Sequence, residues 1–236
     1  MSACSSPALL PARKQMSARN PVAGPVVALE QAPAILSDLF PQTDMDGAAT
    51  GFALAHLARK GLPVLWVQDR LSRLQAGTLC LAGLDGLSVV RVEANKPADV
   101  LWSMEEGLRA PSLAGVVGEI WGEPSALTFT ATKRLSMRAQ ASGVPVWMIR
   151  RGCGANLSAA RNRWRVASLP SSPPLYDAKA PGEPVWQVEL FRSRTLSPGC
   201  WVAQYDRAAH RLHFSAPSGD GALANPDEAA AWRATG

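Results

Sequence analysis

Histidine, tyrosine and cysteine are scarce in this 236-residue chain, at three, two and four residues. The cysteines (Cys4, Cys80, Cys153, Cys200) lie far apart and form no CxxC pair. That spacing argues against a zinc site and gives no reason to invoke disulfides. His210 and His213 fall three apart in a strand-like segment, so they should point to opposite faces and not share a metal. No apolar run approaches the roughly 18 residues that a membrane span requires, so no membrane partner is expected. The first residues mix Ser, Pro, Ala and basic side chains without the apolar stretch of a signal peptide, which predicts a frayed tail and a cytoplasmic protein. There is no Ser-His-Asp order, paired-carboxylate motif or metal cluster, and no internal repeat. The expectation is a non-enzymatic protein without cofactor or metal.

One further absence is local. From Ala126 to Pro170 there is no Asp or Glu, while eight basic residues occur: Lys133, Arg134, Arg138, Arg150, Arg151, Arg161, Arg163 and Arg165. In a chain of net charge +5 such a stretch is a positive field, suited to a polyanion, to an acidic protein face, or to solvent alone.

What is present is a globular composition, 47% hydrophobic and 18% charged, with length enough for one sizeable core and a smaller appendage. Residues 1–25 read as disordered and 26–40 (VVALEQAPAILSDLF) as helical. Helices are expected over 47–60, 70–83, 96–110 and 124–142. Between them lie the strand-like runs PVLWVQ (63–68), LSVVRV (87–92), LAGVVGEI (113–120) and VPVWMIR (144–150). Strands alternating with helices make βαβ units, hence an α/β fold with a mostly parallel sheet flanked by helices. Leu65, Trp66 and Trp147 should be core residues of strands buried on both faces. Past Arg150 a strand is expected over 164–169, then PSSPPLYDAKAPGEP with five prolines in fifteen residues, which cannot be a helix. The runs WQVELFRSR, CWVAQY and RLHFS then predict an antiparallel meander. The expected organisation is a tail (1–25), an α/β domain (26–170), a Pro-rich linker (171–184), a small β extension (185–216) and a flexible tail (217–236).

The stretch PQTDMDGAATGFALAHLARKG, from Pro41 to Gly61, has the shape of a phosphate loop running into a helix. The chemistry is different. GxxxxGK[ST] needs a Lys at the helix start and backbone N–H groups around the phosphates. Here there is no Lys, and Asp44 and Asp46 stand where an anion would sit, with no local cation to offset them. At the degenerate loop position, Asp46 and Gly47, an ordinary helix N-terminus fits instead, with Thr43, Asp44 or Asp46 as its N-cap and the negative charge favoured by the helix dipole. Glu119, at the end of LAGVVGEI, stands where phosphate-loop enzymes carry a Walker B acid; without a functional loop it reads as an isolated carboxylate.

The segments DRLSRLQAG, MEEGLRAPSLAGVVGEIWG, LTFTATKRL, SGVPVWMIR, NLSAARNRWRVASLPS and APGEPVWQVELFRSR together resemble the alphaproteobacterial ImuA family, over roughly residues 40 to 206. The resemblance implies a fold like RecA and the division inhibitor SulA, with a degenerate or absent phosphate loop. It also implies an SOS-induced accessory role in error-prone translesion synthesis, beside the Y-family protein ImuB and a C-family polymerase, with RecA as a further partner and a nucleoid-associated location. On a RecA core the strand preceding the loop is not evident, since LSDLFPQTD has no β-run. The basic stretch would cover the zone facing DNA and the adjoining subunit. The alternatives are a SulA-like division inhibitor and a RecA-like DNA-dependent ATPase. Within ARNRWRV, Arg161, Arg163 and Arg165 lie two apart and share one face of an extended segment, with Trp164 on the other. These four are the candidate partner-binding residues, either as guanidiniums for phosphates or carboxylates with Trp164 as an anchor, or with Trp164 in the core and the arginines in solvent.

Overall fold

The computed structural model describes residues 33–57, 61–84, 86–171 and 180–217. The expected tail over 1–25, nearly all of the tail over 217–236 and most of the Pro-rich linker lie outside them. Six parallel strands form the first part of the sheet: β1 (Leu36–Pro41), β2 (Val64–Asp69), β3 (Val89–Ala94), β4 (Gly115–Trp121), β5 (Val146–Arg151) and β6 (Asn162–Leu169). β7 (Val185–Ser193), β8 (Gly199–Asp206) and β9 (Arg211–Ser215) continue it antiparallel, in the order β3-β2-β4-β5-β1-β6-β7-β8-β9. The antiparallel strands are thus an extension of the same sheet, joined edge to edge through β6 and β7.

One expectation fails at the centre. Where a helix was expected over 26–40, residues Leu36–Pro41 form β1, between β5 and β6. Asp38 interrupts its apolar run, and that carboxylate hid the strand. It is tolerated because the side chain of Arg163, directly opposite on β6, donates to it at 3.2 Å. The strand that should precede the loop is therefore present.

The helices follow their local signals. α1 (Ala48–Leu57) leaves the loop after β1. α2 (Arg70–Ala76) is capped by Asp69, whose carboxylate accepts from the Ser72 N–H at 2.7 Å, and it ends at Gly77 with φ 83°. Only a glycine adopts that conformation cheaply, so the helix expected to reach Gly83 stops at Ala76, seven residues earlier. Leu81–Gly83 forms a separate 3-10 turn. α3 (Pro97–Gly107) starts on a proline, and α4 (Phe129–Ser142) runs from a Thr128 cap to Gly143.

α3 and α4 cover one face of the parallel strands, packing Val100, Met104, Leu135 and Ala139 onto Val67, Val116, Val146 and Met148. α1 lies on the other face, where Phe52 is the hub. Its ring lies 6.0 Å from Trp147 on β5, 5.5 Å from Trp164 on β6, 6.1 Å from Trp186 on β7 and 6.3 Å from Phe214 on β9. β5 and β9 are five steps apart in the sheet, about 24 Å if it were flat at ~4.8 Å per strand. One ring touches both only because the sheet coils around α1. Leu65, Trp66 and Trp147 are buried, as the apolar runs implied.

Phe52→Ala is therefore expected to cost about 3–5 kcal/mol. Gly51→Ala should also destabilise, since its Cβ would lie 2.6 Å from the Trp186 ring. Urea denaturation checks both; a midpoint unchanged in Phe52→Ala would show that α1 is not the element the sheet closes on.

Candidate functional site

The C-terminal ends of β1, β2, β4 and β5 converge on the turn between β1 and α1. In open α/β sheets this edge is where ligands sit. Asp46 caps α1, its Oδ1 accepting from the Ala48 N–H at 2.8 Å. It also ties the turn to the end of β6, accepting from the Ser168 N–H at 2.9 Å and from the Ser168 hydroxyl at 2.6 Å. Gly47 is followed by Ala48 and Ala49, where GxxxxGK[ST] has its lysine and hydroxyl residue.

Arg151 occupies the space directly under the turn, and a cavity of about 180 Å³ lined by Gly47, Thr50, Gln68, Glu119 and Arg151 lies beside it. Arg151, at the end of β5, donates from Nη1 to the carbonyls of Asp44 (2.7 Å) and Asp46 (2.9 Å), and from Nη2 to the Thr50 hydroxyl at 3.2 Å. Its Nε donates to Glu119 Oε1. The other Glu119 oxygen accepts from Gln68 on β2 at 2.9 Å, and Gln68 donates in turn to the Gly77 carbonyl at 2.8 Å. The Arg151 and Glu119 side chains are each 3% exposed. Burial pushes the Glu119 carboxyl above its usual range, and the Arg151 guanidinium pulls the other way. A phosphate loop turns N–H groups inward to an anion; this turn presents two carbonyls inward to a cation.

Two expectations are corrected here. The turn does have a nearby cation, brought by β5 from more than 100 residues away in sequence, but it sits on the Asp44 and Asp46 backbone carbonyls, while their carboxylates accept from the Gly152, Ala48 and Ser168 N–H groups. Glu119 is not isolated, because a guanidinium and an amide hold it. Both partners were in the sequence, but only the sheet order brings them beneath the turn.

The Arg-rich segment lies two strands away. Its alternation is as expected. Arg163 and Arg165 share the face away from α1, their guanidiniums 5.4 and 4.2 Å from the Phe191 ring centre. Trp164 points to the core beside Phe52 and is 2% exposed. Trp164 is thus a core residue and is not available as an interface anchor. Arg163 is buried too: besides Asp38 it serves the Asn156 carbonyl at 2.7 Å, pinning the segment between β5 and β6. Burial raises the Asp38 carboxyl while Arg163 and Arg150 oppose the rise. Arg165 pairs with Glu189 at 2.8 Å and is 35% exposed, and Arg161 lies against the Gln140 amide of α4.

Among the described residues no group of three or more His, Cys, Asp or Glu is placed to hold a metal, and no helix is long and apolar enough to cross a membrane. His56 is packed in the α1 aromatic cluster, and His210 contacts the Tyr205 hydroxyl at 3.1 Å.

Arg151→Met should leave Glu119 buried without its cation, at a cost of about 3–5 kcal/mol near neutral pH. The sign of the pH dependence follows from the raised carboxyl. A buried acid whose folded pKa exceeds the ordinary 4.5 contributes its stability below that value and loses it as pH rises through the folded one. Without Arg151 that pKa rises further, so the variant should lose stability relative to the parent between pH 5 and 8. Arg151→Met with Glu119→Gln should recover most of the loss. Urea denaturation across that range checks both; a loss in the single variant that the double does not relieve would contradict the pairing.

No protein-family model matches the chain. Protein ImuA of Caulobacter vibrioides strain NA1000 / CB15N is 34% identical over 185 residues, covering 72% of this chain and 73% of the relative. Protein ImuA of the strain ATCC 19089 / CIP 103742 / CB 15 gives the same figures. At that identity over nearly three quarters of both proteins, the chain belongs to the ImuA family.

Proposed function

We propose that the chain is a non-enzymatic accessory protein of SOS-induced translesion DNA synthesis, built on a RecA-like core that has exchanged nucleotide binding for internal structure. Membership of the ImuA family associates it with translesion synthesis at the level of the family. The non-enzymatic part of the reading rests on one observation: the turn that would hold a phosphate closes its Asp44 and Asp46 carbonyls on Arg151. A triphosphate entering there meets carbonyl oxygens, the Glu119 carboxylate and a guanidinium already engaged in four hydrogen bonds. The expected partners are an ImuB-like Y-family protein and RecA, with DNA reached through the basic face that carries Arg161, Arg165 and Arg192. A SulA-like regulator is disfavoured. Such a module would end near Arg150, whereas Trp186 and Phe214 from beyond that point complete the packing around Phe52.

Equilibrium dialysis with labelled ATP and magnesium tests the non-enzymatic reading. No saturable binding is expected up to millimolar nucleotide. Micromolar binding that is lost on changing Gly47 or Arg151 would overturn it. A pull-down of the ImuB-like protein and RecA side by side tests the adaptor role. An Arg161→Glu/Arg165→Glu variant that still folds should lose one of them.

A further inference from the structure

α3 and α4 lie side by side and turn one shared strip outward. On α3 the core takes Val100, Leu101 and Met104, which leaves Trp102 and Glu105, three apart, on the outward side at helical spacing. On α4 the core takes Ala131, Leu135 and Ala139, Arg134 and Arg138 reach toward α3, and Met137, three residues on from Arg134, faces outward. The two helices meet at Glu105, whose oxygens accept from Arg134 Nε at 3.0 Å and lie 3.4 Å from Arg138 Nε. Trp102 is 64% exposed and Met137 59%, on either side of that junction. Scattered exposed apolar residues are ordinary, but an indole and a thioether flanking an arginine pair are the side chains enriched where proteins bind proteins.

The charge arrangement says what would cover the strip. One carboxylate, 12% exposed, lies beneath two guanidiniums that are 60% and 39% exposed. The junction therefore carries net positive charge, and solvent sees the cations rather than the acid. Each arginine uses Nε for Glu105. Among the described residues their Nη groups have no acceptor, and two such edges suit incoming carboxylates. α4 carries Lys133, Arg134 and Arg138 with no acidic residue. Nucleic acid fits less well, because Asp99, Glu105 and Glu106 on α3 interrupt any run of cations along which phosphates would track.

We propose that the α3–α4 strip is a docking surface for an acidic segment of another protein, with an apolar side chain seated between Trp102 and Met137 and its carboxylates on Arg134 and Arg138. The surface is separate from the turn closed by Arg151, so this proposal can fail while the nucleotide reading stands, and the reverse.

The test uses the full chain and a fluorescein-labelled 14-residue amphipathic peptide with Glu on one face and Leu and Phe on the other. Its Glu→Gln counterpart and a single-stranded 20-mer oligonucleotide serve as competitors. The Glu peptide should bind at least tenfold more tightly than the Gln peptide. Binding should weaken at 0.5 M salt and fall at least fivefold in Trp102→Ala. Trp102 and Met137 are exposed, so Trp102→Ala and Met137→Ala should melt with the parent. They keep the test decisive if Arg134→Ala/Arg138→Ala unfolds through the loss of Glu105's partners. Equal binding of the two peptides, or unchanged binding in Trp102→Ala and Met137→Ala, would overturn the proposal. So would an oligonucleotide that displaces the peptide and binds less well without Arg134 and Arg138. A dimer in sedimentation that Trp102→Glu abolishes would assign the strip to a second copy of the chain, and would overturn it equally.

Discussion

Arg151, at the end of β5, ties together the end of β4, 32 residues away in sequence, and the turn after β1 with the start of α1, more than 100 residues away. A guanidinium buried this deeply must be matched by acceptors, because an uncompensated charge in a low-dielectric interior is costly. Glu119 supplies the countercharge, and the Asp44 and Asp46 carbonyls and the Thr50 hydroxyl supply the remaining acceptors. That requirement sets the direction of the turn. With its carbonyls facing inward, its N–H groups cannot also converge on an anion. The same contacts fix where α1 begins, and α1 carries Phe52, around which the sheet coils. The local chemistry of one side chain thus bears on both what the turn excludes and how the sheet closes.

A second buried pair, Asp38 with Arg163, does comparable work at the centre of the sheet. The two face each other across the parallel pair β1 and β6, one strand before β6 and β7 begin the antiparallel meander. Phe40 and Phe191 lie against the Arg163 guanidinium at 5.2 and 5.4 Å, which suits a cation over aromatic faces. The basic residues of the middle of the chain are consequently of two kinds. Arg151 and Arg163 are internal fasteners, whereas Arg134, Arg138 and Arg165 keep substantial exposure and remain open to partners.

Much of the architecture was legible because its signals are local. The runs at 63–68, 113–120 and 144–150 are apolar except for Gln68, Glu119 and Arg150 at or near their ends, and the breaks between them carry cap and turn residues, so the βαβ alternation could be read directly. β1 could not, since Asp38 looks wrong for a central strand until Arg163 is known to face it. The short α2 shows the opposite error, an apolar pattern carried past the glycine that ends the helix. At the turn, the missing lysine was visible, and so was a cap at Thr43, Asp44 or Asp46, of which the structure selects Asp46. The cation beneath it was not, because nothing within thirty residues of Asp44 hints at Arg151. The alternation of Trp164 against its neighbouring arginines followed from strand geometry. Which face was the core depended on α1, and that is tertiary information.

The central claim is that the turn is closed on a guanidinium rather than held open for phosphate. The Arg151 Nε–H signal in a nitrogen-15 correlation spectrum tests it most directly. Assigned through Arg151→Lys, that proton should exchange slowly with solvent, as expected of a buried donor to Glu119, and should not move when MgATP is added to 10 mM. A rapidly exchanging Nε–H, or one that shifts in a saturable way with MgATP, would mean that the arginine is free to meet a phosphate and would contradict the account.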